Sequence, residues 1–135
     1  MDEAKRELIH AWLRRAYDDL LSARRLGQEP GAILGPALYH YQQAAEKAIK
    51  AVLVYHDKPF DKTHDVGVLL KLVLPFHSAF SPTSGAANRL SRYAIVYRYP
   101  SEEPEPEREQ FDAALRDVED LFALVLQRLP VSTHL

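Results

Sequence analysis

Apolar residues in the first part of the chain come as adjacent pairs repeated every four positions: Leu8/Ile9, Trp12/Leu13, Ala16/Tyr17 and Leu20/Leu21. That spacing is the broad buried stripe of an amphipathic helix. It predicts a helix over residues 3–26, with Gly27 as its stop. A second helix is expected over 34–57. Pro36 suits its first turn, where a missing N–H is harmless. Leu38, Tyr41, Ala45, Ala48/Ile49, Val52 and Tyr55 share one face, and Gln43, Glu46, Lys47 and Lys50 lie on or beside the polar side. Alanines 44, 45, 48 and 51 favour helix and permit close helix approach.

Pro59 breaks this pattern. Thr63 then reads as an N-cap, with Asp65 facing the helix dipole in the first turn of a short helix over 64–74. Ser81-Pro82 is a further start signal, opening a helix over 82–97 with Ala86, Leu90, Tyr93, Ala94 and Tyr97 inward. A Glu/Pro loop leads to the last helix, over 106–129, whose apolar face carries Phe111, Leu115, Val118, Leu121/Phe122, Val125 and Leu129. No strand-like alternation and no internal repeat occurs. The pattern predicts an all-α protein: an up-and-down four-helix bundle with one additional short helix.

Composition narrows this further. A chain of 135 residues with 47% hydrophobic content fits a single domain spanning 1–135. With no cysteine there is no disulfide, thiolate metal site or thiol nucleophile. The longest apolar runs, 51–55 and 121–126, are far short of the roughly 20 residues of a membrane span. The N-terminus has no apolar signal core. The expected location is the cytoplasm.

The net charge of −2 says nothing about nucleic acid, but its distribution does. Residues 66–101 contain no Asp or Glu, yet hold Lys71, Arg89, Arg92 and Arg98. Arg89 and Arg92 are one helical turn apart, and Arg98 leaves the helix beside Tyr99. Arginine forks suit phosphate, and Tyr93, Tyr97 and Tyr99 suit base stacking. The competing reading is that these arginines complement a helix C-terminus or pair with nearby glutamates. His64, just past Thr63, is a phosphate or acid–base candidate or a packing residue. Gln42 and Gln43 suit a base edge or, more simply, a polar network between helices.

Several chemistries lack their residues. A di-iron bundle needs two Glu-x-x-His motifs, and the chain has one, at Glu7 and His10, so no metal is expected. There is no phosphate-binding P-loop, dinucleotide fingerprint or nucleophile elbow. No cofactor is expected.

Three segments together resemble a known family. Residues 39–51, YHYQQAAEKAIKA, resemble the second-helix signature of small stand-alone prokaryotic HEPN-domain proteins. Thr63-His64-Asp65 resembles the start of that family's short helix. Tyr93 through Arg98-Tyr99-Pro100 resembles its Tyr…Arg-Tyr-Pro segment. Order, spacing and length match over nearly the whole chain. The resemblance implies a homodimeric bundle that binds nucleotide or RNA and is paired with a minimal nucleotidyltransferase, in arrangements like toxin–antitoxin systems. Carried over by position, the binding residues are Gln43, Lys47, Lys50, His64, Arg98 and Tyr99. The charge argument adds Arg92.

Some HEPN proteins are metal-independent ribonucleases with an arginine, four to six residues and a histidine at the end of the penultimate long helix. Here no histidine follows Arg89, Arg92 or Arg98 until His134. The spacing from Arg128 to His134 fits, but Pro130 interrupts it and it lies in the wrong element. The expectation is therefore a non-catalytic module with no catalytic residue. The alternatives are a ribonuclease toxin with a degenerate site and a purely structural protein-interaction module. The acid-free stretch speaks against the last of these.

Overall fold

The computed structural model describes residues 1–28, 30–97, 99–100, 102 and 104–135. Its α-helices are α1 (Glu3–Gln28), α2 (Leu34–Tyr55), α3 (Val66–Val73), α4 (Ser84–Val96) and α5 (Arg108–Arg128), with 3₁₀ turns at Ser78–Thr83 and Val131–Thr133. Among the described residues there is no strand. The fold is the expected all-α bundle, four longer helices and a short one. Among the described residues no helix is long and apolar enough to cross a membrane.

The arrangement turns on α2, which packs against each of the other four helices. It buries 15 of its 22 residues, so little of it faces water. Its alanines at 37, 44, 45, 48 and 51 are fully buried and let the neighbouring helices approach closely. Around them Ile9, Leu13, Tyr41, Ile49, Leu53, Leu69, Leu90 and Val125 join one continuous cluster drawn from every helix. Each large aliphatic side chain removed from water there contributes roughly 1.5–3 kcal/mol.

Local chemistry moves several boundaries from their expected places. α1 runs through Gly27 to Gln28, and a methyl group at position 27 would lie 2.0 Å from the Phe111 ring. Gly27 is thus a contact point for α5 and not a stop. The cap of α3 is Asp65, whose Oδ1 accepts from Val68 N at 3.1 Å. Thr63 instead accepts from Asp65 N at 3.1 Å, forming the turn before the helix. Ser81-Pro82 falls inside a 3₁₀ turn, closed by Thr83 and Ser84 hydroxyls donating to the carbonyls of Phe80 and Ser81. Buried Phe80 anchors that turn, so α4 begins only at Ser84. α5 opens on Glu107 in a capping box with Gln110.

Candidate functional site

Because α2 is enclosed, its polar residues are forced together. Gln42, Gln43, Glu46 and Lys50 are all buried, which corrects the expectation that Gln43, Glu46 and Lys50 lie toward water. Burial of an ion pair is tolerable only when each polar atom is partnered, and here Glu46 is the hub. Its Oε1 accepts from Lys50 Nζ at 2.7 Å. Its Oε2 accepts from the side-chain amides of Gln42 and Gln43, at 3.2 and 3.0 Å. The second N–H of Gln43 goes to Gln42 Oε1 at 2.7 Å, and the second N–H of Gln42 to the His64 carbonyl at 2.7 Å. Both amides thus use both donors.

This network ends at the surface. Nδ1 of His64 donates to the Glu46 carboxylate, 3.3 Å away. The buried carboxylate fixes the tautomer and turns the other ring nitrogen outward. The His64 side chain is 58% exposed and borders a cavity of about 550 Å³. Asp65, Asn88, Ser91, Arg92, Ile95 and Tyr99 complete its rim. Ser91 stitches the two walls: its hydroxyl accepts from Gly67 N at 3.2 Å and shares its proton between Asp65 Oδ1 and the Ala87 carbonyl, each 3.0 Å away.

Three of the seven expected binding residues, His64, Arg92 and Tyr99, therefore meet at one opening. Lys50 reaches it through Glu46, and Gln43 through Glu46 and Gln42. Lys50 Nζ also lies 5.4 Å from the Trp12 ring centroid and 5.5 Å from that of Phe60, so its charge is held inside an aromatic corner. Lys47 faces α1, where its Nζ donates to Asp19 Oδ2 at 2.6 Å while His40 Nδ1 takes Oδ1 at 2.8 Å. Arg98 lies outside the described residues. Arg89 is not on the cavity rim; it pairs with Asp117 of α5 at 3.1 Å. Sequence reasoning missed Glu46 as the centre and Asp65, Asn88 and Ser91 as walls. The capping signal of Asp65 was the one available clue to them.

The model of the HEPN domain family matches residues 9–129. The chain belongs to the HEPN family. No curated protein matches it. Among solved structures, the HEPN fold is shared with ST0689, an archaeal HEPN homologue: 21% identity over 89% of this chain and 96% of that one, TM-score 0.70. TT1696 from Thermus thermophilus is similar at 25% identity over 90% of this chain and 98% of that one, TM-score 0.70. In this HEPN chain His134 has surroundings of its own, apart from those of Arg92. Its Nε2 donates to the Leu129 carbonyl at 3.1 Å, and it borders a groove lined by Tyr17, Leu20 and Phe122. The Arg128–His134 spacing therefore builds no arginine–histidine pair at the α3–α4 cavity.

Proposed function

We propose that this chain is a non-catalytic, homodimeric HEPN module that takes a phosphate-bearing ligand, a nucleotide or an RNA strand, in the α3–α4 cavity. In this reading it works beside a minimal nucleotidyltransferase, in toxin–antitoxin fashion. The observation that carries it is the convergence of His64, Arg92 and Tyr99 on one opening. An arginine fork is a phosphate donor, and the outward Nε2 of His64 offers an acceptor for a ligand hydroxyl or amine. Ile95 and Tyr99, both largely exposed, offer a flat apolar surface for a base. Self-association is supported by a shallow groove along α1, lined by Leu8, Ala11 and Trp12 with Arg15 and Lys47 beside them.

The test uses end-labelled RNA in EDTA, run in native and denaturing lanes. The expected result is a shifted, intact band that the His64→Ala/Arg92→Ala double variant weakens at least tenfold, with a shallower salt dependence. Sedimentation at micromolar concentration should give a dimer. An unchanged shift in the double variant would remove the cavity from the reading.

One observation favours a second reading, metal-independent RNA cleavage. An imidazole braced by a buried carboxylate shares a cavity with an arginine, and those are the groups that move a proton and stabilise a developing phosphorane charge. Shortened RNA that disappears with His64→Ala alone would replace the first reading by this one.

A further inference from the structure

A second histidine cluster lies at the C-terminal end of α2 and plays no part in the cavity. His56 caps α2, and His77 precedes the Ser78–Thr83 turn. Their Nε2 atoms are 2.7 Å apart. At that distance one Nε2–H donates into the lone pair of the other. The rings are held by aromatic neighbours. His56 stacks on Phe76 with centroids 4.4 Å apart and planes 9° apart, and His77 borders buried Phe80 at 6.2 Å.

We propose that His56 and His77 are a cis pair of imidazole ligands for a divalent transition metal of square-planar or tetragonal preference, Cu²⁺ ahead of Ni²⁺, with water in the remaining positions. Metal–imidazole bonds are about 2.0 Å long, so two at a right angle place their nitrogens about 2.8 Å apart, and two at a tetrahedral angle about 3.3 Å. The observed 2.7 Å fits the right angle. A metal would then take the place of the shared proton once each ring tilts to turn its lone pair off the Nε2–Nε2 line toward it. The tetrahedral arrangement of Zn²⁺ would have to spread them. Copper also stands highest among the first-row divalent ions for nitrogen donors.

The surroundings keep the ligands in their metal-binding form. Burial, with the Lys5 charge, holds His56 below its ordinary value against the opposing pull of Asp57. Burial, with His56 and Arg128, does the same for His77. The 2.7 Å contact between the two Nε2 atoms itself requires that one of them carry a lone pair and not a proton. The charged groups around the pair are Lys5 from α1, Arg128 from α5 and the adjacent Asp57, whose carboxylate is taken by Lys5 Nζ at 3.0 Å. Among the described residues no group of three or more His, Asp or Glu side chains assembles, so this is a two-point site.

The test uses the untagged, EDTA-treated full chain at pH 7 with copper, nickel and zinc salts in turn. One equivalent of Cu²⁺ should give an electron paramagnetic resonance spectrum with splitting from two imidazole nitrogens. At about a hundredfold above Kd the melting temperature should rise by roughly 8 °C. Both effects should weaken in the order Cu²⁺, Ni²⁺, Zn²⁺, vanish in His77→Ala and persist in His134→Ala. Undiminished binding by His77→Ala, or no effect at millimolar metal, would overturn the site, and tighter Zn²⁺ binding would overturn its cis geometry. If His77→Ala does not fold, the native chain decides. Substoichiometric Cu²⁺ should broaden the ring protons of His56 and His77 first, and equal broadening of all six histidines would refute the assignment.

Discussion

Two trios of like composition hang on α2, each a carboxylate holding an ammonium and an imidazole. In one, Asp19 binds Lys47 and His40. In the other, Glu46 binds Lys50 and His64. The first lies in the α1–α2 seam, one oxygen to each donor, and its His40 borders an open groove with Ser22, Arg25 and Leu26. The second is deeper and better supplied. Its carboxylate is 3% exposed against 13% for Asp19, it takes two further amide donors, and its histidine opens onto a cavity. The same three side-chain chemistries therefore make a clamp between two helices in one place. They make a foundation for a site in the other, where His64, 58% exposed against 34% for His40, shares its cavity with Arg92 and Tyr99.

The largest difference should appear when each carboxylate is removed. Glu46→Ala leaves the Lys50 ammonium and two glutamine amides buried without their acceptor. Stripping one partner from a buried ion pair costs about 3–5 kcal/mol. Urea unfolding should show that loss, and the melting temperature should fall by about 10 °C or more. Removal of Asp19 leaves Lys47 and His40 partly exposed and able to rehydrate, so Asp19→Ala should cost only about 1–2 kcal/mol. Equal losses at the two positions would erase the distinction drawn between the trios.

Acid sharpens the comparison. Burial alone would raise the Asp19 carboxyl, but hydrogen bonds from His40 and Lys47, with the Lys47 charge, outweigh it and hold the group below its ordinary 3.8. A lowered native value means that the unfolded chain takes up the proton first as pH falls. The trio's contribution is therefore complete above about pH 4 and drains away as pH drops from there through the native value. Asp19→Asn should be less stable at pH 7 and should lose less further stability between pH 4 and 2.5. Parallel decline of the two proteins in unfolding curves across that range would remove Asp19 as the cause.

The helices were legible in the sequence because periodicity records which face is buried, and α1, α2 and α5 carry that record over many turns. The cavity was only partly legible. His64, Arg92 and Tyr99 were visible as types and positions. Glu46 was not, because a Glu four residues before a Lys reads equally well as a solvated surface pair. What buries it is the packing of four helices around α2, a fact of topology that no window of α2 contains. Thr63 and Asp65 are both capping residues two positions apart, and the choice of Asp65 rests on Ser91 arriving from α4 to share its carboxylate. Gly27 shows the same limit. It carries a helix-stop signal in sequence, and the Phe111 ring from α5 gives it another use.

The smallest expected effect separates neighbours that the sequence treats alike. Arg89 and Arg92 lie one turn apart on α4, both exposed. Arg89 reaches Asp117 across a surface seam at 3.1 Å, with its side chain 59% exposed, while Arg92 borders the cavity. An exposed ion pair of that kind contributes about 0–1 kcal/mol, so Arg89→Ala should shift unfolding by no more than about 1 kcal/mol. A charge-assisted contact to phosphate is worth about 1.5–3 kcal/mol, so Arg92→Ala should weaken RNA binding by about tenfold or more. Arg89→Ala should weaken it less than about twofold at 0.15 M salt, where screening acts over about 8 Å. The salt level matters: in dilute buffer any lost cation weakens attraction to a polyanion, and the two variants would converge. If Arg89→Ala is the weaker binder at 0.15 M, the ligand lies toward α5 and the cavity beside His64 is not its seat.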